Sequence, residues 1–192
     1  MGRVTRRHLT DLPGTLGLPV ALAVASILAV LAFGLPVLDR AVPAERAVAS
    51  GPYLVGAGVT VVPPPGAVLD VTGTRPGSDR GTVLFRLGLV RYAIDVEPFD
   101  GDLTAAAVRL RQRITGINGH RITGTQLAVS TAGGFAGVQG GYTTGERDGR
   151  YAVFVANGLT IEVMVSGDDT DLGPALPAID ASTRTLRYET VK

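Results

Sequence analysis

The sequence predicts an α+β protein in which an N-terminal transmembrane helix precedes an antiparallel β-sheet domain with packed helices. Two observations support this class. Residues 12–38 form a run of 27 residues without a charged side chain. Beyond residue 51, strand-like segments are followed by one helical pattern, further strands and a last helix. That order is typical of helices packed on an antiparallel sheet.

The composition excludes several classes of function. The chain has 192 residues, no cysteine, two histidines and a formal net charge of +1. The lack of cysteine excludes a disulfide framework and a cysteine-ligated metal, and the balanced charge gives no basis for nucleic-acid binding. No cofactor is predicted. Every basic residue except Lys192 is arginine, a bias typical of GC-rich genomes such as those of actinobacteria.

The uncharged segment predicts a signal anchor that crosses a membrane once. A helix over residues 12–38 would span ~40 Å, more than the ~30 Å hydrocarbon core of a bilayer. Arg3, Arg6 and Arg7 precede it, while the charges that follow it balance, so the positive-inside rule keeps the N-terminus in the cytoplasm. We therefore expect a cytoplasmic basic tail (1–11), a transmembrane helix (12–38), a tether (39–50) and an extracytoplasmic domain (51–192).

Two further interpretations of the N-terminal region stay open. Ala47-Val48-Ala49 offers a cleavage site, so the segment would then be a signal peptide. The apolar run is long for a signal peptide and charged residues precede that site, which favours the uncleaved anchor. Ala21, Ala25 and Ala29 recur at the spacing of small residues in helix dimers and offer a seam for homodimerisation. Alanine is so frequent in this stretch that the spacing also arises by chance.

The first half of the outer domain predicts four strands and a helix. The strands are expected at 59–62, 67–71, 82–87 and 89–97, with Gly88 as the turn between the last two. The last strand alternates apolar and polar residues, which buries one face and leaves the other mostly in water. Asp100 or Asp102 then caps a helix that ends at Gly116. Its apolar positions share one face, which predicts a helix that covers the sheet: Leu103, Ala106, Ala107, Leu110 and Ile114.

The second half predicts strands at 120–129, 134–143, 150–156 and 159–166, followed by a helix. Asn157-Gly158 is the preferred pair for a two-residue hairpin turn, which pairs Ala156 with Leu159 and Phe154 with Ile161. One hairpin face then belongs to the core: Phe154, Leu159, Ile161, Val163 and Val165. In the last helix Leu172, Leu176, Ile179, Thr183 and Leu186 share a face, and Pro177 predicts that the regular helix begins only near that residue.

The other hairpin face predicts a contact with a partner. It carries Thr160 and Glu162, but also more apolar surface than water requires, and such surface is often a contact site. The expected partner is an envelope protein or peptide. The alternative is that the closing helix or the early strands cover this face. The proposed contact residues are Tyr151, Val153, Val155 and Met164.

Three stretches of the outer domain resemble the PsbP/Mog1-like sandwich: TVLFRLGLVRYAIDVEPFDGDLTAAAVRLRQRI, then GGYTTGERDGRYAVFVANGLTIEVMVSG, then PALPAIDASTRTLRY. The shared pattern is a glycine-rich strand, a turn, a hairpin and a closing helix. Small actinobacterial envelope proteins use similar domains. The resemblance implies an interaction or assembly module without a common catalytic apparatus.

Each motif that could carry chemistry has a simpler interpretation. Asp168, Asp169 and Asp171 lack the glycine position and terminal Glu of a calcium loop, so they are interpreted as a helix-capping loop. His120 has no second histidine or cysteine beyond the membrane segment with which to bind a metal, so it is interpreted as a solvated or hydrogen-bonded histidine. Asp95 and Glu97 share a strand face, which is compatible with a glycosidase carboxylate pair but is more typical of the exposed face of an antiparallel strand. The glycines of GGFAGVQGG are not followed by a lysine, so they indicate bulges or close packing rather than a phosphate loop.

These observations predict a membrane-tethered, extracytoplasmic, non-catalytic binding or assembly module of the bacterial cell envelope. The alternative is a small envelope-associated hydrolytic enzyme. An enzyme would need paired acid and base groups with shifted pKa values in one pocket, and this feature separates the two hypotheses.

The predicted topology can be tested with a reporter that is active only outside the cytoplasm. Fused after Lys192, it should be active. Replacement of Arg3, Arg6 and Arg7 together by Glu should reduce the active fraction, because these charges hold the N-terminus inside. An inactive wild-type fusion would contradict the topology.

Overall fold

An eight-stranded antiparallel sheet is the framework of the domain. The computed structural model describes residues 45–48, 50–145 and 147–189. The elements are β1 (Glu45–Ala47), β2 (Tyr53–Gly56), β3 (Val59–Val61), β4 (Val68–Asp70), β5 (Gly81–Leu87), β6 (Val90–Pro98), α1 (Leu103–Gly116), β7 (Arg121–Ser130), β8 (Ala136–Thr143), β9 (Asp148–Ala156), β10 (Leu159–Gly167), α2 (Asp169–Arg184) and β11 (Arg187–Tyr188). The strand order of the large sheet is β1-β4-β5-β6-β10-β9-β8-β7, and a second sheet has the order β11-β3-β2.

The two helices lie on opposite faces of the large sheet. Helix α1 contacts β7, β8 and β9, whereas α2 contacts β6, β9 and β10. Alternate residues of β9 serve the two faces, as a pleated strand requires: Phe154 belongs to the core with α2, and Val153 belongs to a second core with α1. Strand β2 of the small sheet contacts β5 and β6. The domain therefore has two cores separated by one sheet.

The predicted β9–β10 hairpin is confirmed in register. Ala156 pairs with Leu159 and Phe154 with Ile161. Asn157 and Gly158 have φ angles of 54° and 71°, the positive values that a type I′ turn requires. Because a slip of one residue would exchange the two faces, this turn fixes which side chains enter which core.

The antiparallel sheet and its two helices are confirmed, with local corrections. Within the tether, Glu45–Ala47 forms an edge strand that pairs with β4, and no hydrophobic alternation marks it because all three residues are exposed. Helix α2 begins at Asp169 and not near Pro177. Pro174 and Pro177 both lie inside the helix, because the packing of Leu172 and Ile179 in the core outweighs the local effect of proline. The backbone N–H of Leu172 also bonds the carbonyl oxygen of Asp168 at 2.8 Å.

The glycines of β8 and β9 make room for aromatic rings. A Cβ on Gly137 would meet the Phe154 ring, and one on Gly140 would meet the Tyr151 hydroxyl oxygen at 2.6 Å. Gly149 lies in the same way against the ring of Tyr142. At Gly137 and Gly140 the expected close packing within GGFAGVQGG therefore comes from neighbouring rings, whereas Gly133 lies against Leu186 and Arg187.

The predicted transmembrane segment lies outside the described residues, as do Ala21, Ala25 and Ala29. Within the part of the chain that the structure describes, neither helix has the length and apolar character needed to cross a bilayer.

Gly137→Ala should destabilise the domain by about 1–3 kcal/mol, because the added methyl group overpacks the site. That methyl group would lie 2.6 Å from the Val153 carbonyl oxygen. Gly116→Ala is the matched control, since no atom lies within 4 Å of its Cβ position at the end of α1. It should leave stability unchanged or raise it by up to about 1 kcal/mol. Urea denaturation measures both, and equal midpoints for the two variants would contradict the packing.

Candidate functional site

A groove lies between α2 and strands β7 and β8. It contains two cavities of about 340 Å³ each, within the range of about 300–1,000 Å³ that ligand pockets occupy. Gln139 borders both cavities. Other residues of the first cavity are Val129, Ser130, Ala152, Phe154, Asp180, Thr183 and Arg184, and other residues of the second include Leu127, Arg150, Asp148, Leu172 and Leu176.

The walls of the groove are partly apolar. Leu172 and Leu176 are one turn apart on α2 and provide the helix wall. Strand β7 forms the opposite rim, where Leu127 is 58% exposed. The groove thus offers apolar surface to a ligand at Leu127 and, in part, at Leu176, whereas Leu172 is almost fully buried in the core.

Charged side chains cross the groove and lie at its ends. Arg150 Nη1 and Asp180 Oδ2 are 2.7 Å apart and join β9 to α2, with about a third of each side chain exposed. At the N-terminal end of α2, the carboxylate of Asp148 raises the pKa of Asp169, because the two negative charges lie close together. Arg184 lies at the other end, and among the described residues no carboxylate is within ion-pair distance of it.

A separate network of charges lies under α1 on the other face of the sheet. Glu162 is 3% exposed, and its Oε1 lies 2.8 Å from Nη2 of Arg113. Arg113 Nη2 is also 3.4 Å from Oε1 of Glu97, and Arg109 pairs with that same oxygen. These contacts tie α1 to β6 and β10.

Asp95 faces Glu162 across the paired strands and accepts a hydrogen bond from Thr82 Oγ1 at 2.6 Å. Burial raises the pKa of Glu162 above its ordinary value of 4.5, against the effect of Arg113 and Arg109, while Asp95 adds to the rise. Both carboxylates border a cavity of about 110 Å³. That volume is below the range of ligand pockets, and each carboxylate already has a partner within the domain. The network therefore serves helix docking better than acid–base catalysis.

The expected contact residues occupy different positions in the second core. Tyr151 and Val153 are fully buried and pack with Ala106 and Leu110 of α1, so they are not accessible to a partner. Val155 and Met164 are partly buried against the same cluster. These residues are apolar because α1 covers this hairpin face, and the apolar stripe of α1 requires an apolar sheet face to pack against.

The other chemical candidates have structural partners. His120 stacks on Tyr142 with ring centroids 6.1 Å apart. Asp168 is the N-cap residue of α2, but its side chain makes no capping bond and pairs with Arg147 at 3.0 Å. Glu97 belongs to the network under α1. No group of three or more acidic or histidine side chains suited to a metal occurs in residues 45–48, 50–145 and 147–189.

The groove itself was not anticipated from the sequence. Its floor and rim come from residues far apart in the chain, and their strand-like alternation indicates only which face each occupies. One local signal exists: Gly141 of GGFAGVQGG lies on a strand and borders the second cavity, where a side chain would otherwise meet Thr123.

No protein-family model matches this chain, and no curated protein matches it in sequence. Solved structures similar to it include CyanoP, the PsbP of Synechocystis sp. PCC 6803, with 15% identity, 76% of this chain and 91% of that chain covered, and a TM-score of 0.50. LpqN, involved in cell envelope biogenesis of Mycobacterium tuberculosis, has 14% identity, coverage of 76% and 91%, and a TM-score of 0.49. PA94, a protein of unknown function from Pseudomonas aeruginosa, has 16% identity, coverage of 59% and 87%, and a TM-score of 0.48.

The similarity to CyanoP shows that the domain has a PsbP-like fold, in agreement with the sequence. At this level of identity the comparison shows the fold alone.

Arg113→Met should lower the free energy of unfolding by about 1–3 kcal/mol at pH 7, because it leaves the buried Glu162 carboxylate without its nearest partner. The folded-state pKa of Glu162 lies above 4.5, so its ionisation subtracts stability as pH rises through the interval between the unfolded and folded values. Without Arg113 the folded pKa rises further and the loss grows. Near pH 4, where Glu162 is mostly protonated in both states, the difference from wild type should shrink.

Urea denaturation at the two pH values measures this effect. The double variant Arg113→Met/Glu162→Gln should regain most of the lost stability. Arg111→Met, on the exposed side of α1, should change stability by less than about 0.5 kcal/mol. A loss that is the same at both pH values would refute the electrostatic cause.

Proposed function

We propose that this protein is a membrane-tethered, extracytoplasmic, non-catalytic binding module of the bacterial cell envelope, and that its ligand occupies the groove along α2. The observation that carries the proposal is the groove: two adjoining cavities of about 340 Å³, partly apolar, with polar groups at defined positions. Such a combination is typical of a binding site.

The tether and the location are supported by the sequence. The uncharged segment 12–38 is long enough to span a bilayer, and Arg3, Arg6 and Arg7 precede it. Under this proposal the segment is an uncleaved signal anchor and the groove faces the outside of the cell. The near balance of charges beyond it favours a protein or peptide partner over nucleic acid.

The alternative function, a small hydrolytic enzyme, would use Asp95 and Glu162. A raised pKa of Glu162 beside a second carboxylate is the pattern that favours it. The small cavity and the arginine partners of Glu162 count against it, since a general acid must reach the substrate atom that it protonates. We therefore favour binding without turnover.

A photo-crosslinking amino acid at Leu127 tests the groove in intact cells. Leu127 is 58% exposed on the rim, and Val108, 47% exposed on α1, is the matched control on the other face of the sheet. Irradiation should produce a crosslinked adduct at position 127 and none at position 108. Absence of an adduct at 127, or equal adducts at both positions, would overturn the proposed site.

A further inference from the structure

The groove along α2 has opposite charges at its two ends. Asp148 borders the cavity beside Leu172, and its carboxylate interacts with that of Asp169 at the first turn of α2. Among the described residues, no arginine lies within ion-pair distance of either carboxylate. Arg184 borders the cavity at the last turn and is likewise without an ion-pair partner in the described chain.

The middle of the groove is electrically neutral but polar. Arg150 and Asp180 neutralise each other across it at 2.7 Å. Beside them Gln139 borders both cavities and carries an amide that can donate and accept hydrogen bonds. Apolar surface lies on both sides, from Leu176 on the helix to Leu127 on the rim.

The distance between the charged ends sets the length of a ligand. From Asp169 to Arg184 the helix rises ~1.5 Å per residue, which separates the ends by ~22 Å. An extended peptide advances about 3.4 Å per residue, so about six or seven residues span the groove.

A fatty chain fits these features less well than a peptide. It has one polar end, whereas this groove has two charged ends of opposite sign. An acyl chain would also leave the amide of Gln139 and the exposed parts of Arg150 and Asp180 without polar partners, at a cost in desolvation. A peptide supplies backbone hydrogen-bonding groups along its length and alternates its side chains between the walls.

Building on the proposed function, we propose that the groove binds an extended peptide segment of about six or seven residues, with a basic group at the Asp148–Asp169 end and an acidic group at the Arg184 end. The charges select the segment and its direction, and the apolar walls contribute the contact area.

Selection from a random heptapeptide phage library against the full chain in lipid nanodiscs tests this proposal. The wild-type protein should enrich peptides with one basic and one acidic residue about five or six positions apart. Arg184→Glu should remove the preference for the acidic residue and replace it with a basic one. A consensus peptide selected on the wild type should bind Arg184→Glu about tenfold more weakly, a difference of ~1.4 kcal/mol.

Two controls separate this outcome from general effects of charge or folding. Asp148→Asn/Asp169→Asn should lose only the preference for the basic residue, while Arg111→Glu on α1 should leave the selected motif unchanged. No enriched motif, with or without saturable binding of dodecanoate to the groove, or a motif indifferent to Arg184, would overturn the peptide proposal. The crosslink at Leu127 would remain in each of these cases, so failure here is distinct from failure of the groove as a binding site.

Discussion

The double burial of β9 is the constraint on which the rest of the domain depends. This strand lies inside the sheet between β8 and β10, and both helices contact it from opposite sides. Its side chains alternate between two cores, so a shift of either helix would expose the core that this helix covers. With α2 held over β6, β9 and β10, the adjoining face of β7 and β8 becomes the floor and rim of the groove. The groove is thus a consequence of how the helices are offset.

The elements with local signals could be predicted from the sequence. Asn157 and Gly158 set the hairpin register by their own backbone preferences, and Asp102 caps α1 by accepting a hydrogen bond from the Ala105 N–H at 2.8 Å. The faces of the sheet required more than local information. The amphipathic pattern of α1 and the mixed face of the hairpin were both visible, but nothing local indicates that Val153 and Leu110 meet.

The pairing of the charged groups likewise could not be predicted from local sequence information. Arg109 and Arg113 lie outside the apolar stripe of α1, and their pairing with Glu97 and Glu162 depends on the helix docking angle. Burial of Glu162 without an arginine would be costly, so the network specifies one position of α1 on the sheet. A hydrophobic stripe alone permits sliding along the helix axis. The charges therefore add positional specificity to a contact whose stability comes mainly from apolar packing.

The short strand β1 links the sheet to the fate of the N-terminal region. Its residues pair with β4, and Glu45 Oε1 lies 2.9 Å from Nη1 of Arg86. Proteolytic removal of the chain up to Ala49 would strip this strand from the sheet, expose the hydrogen-bonding edge of β4 and deprive Arg86 of its carboxylate. A processing protease would have to act before β1 pairs with β4 or after β1 detaches, because a paired strand does not enter a protease active site. Folding of the outer domain therefore protects its N-terminal extension from cleavage, because pairing of β1 competes with the protease for the same segment.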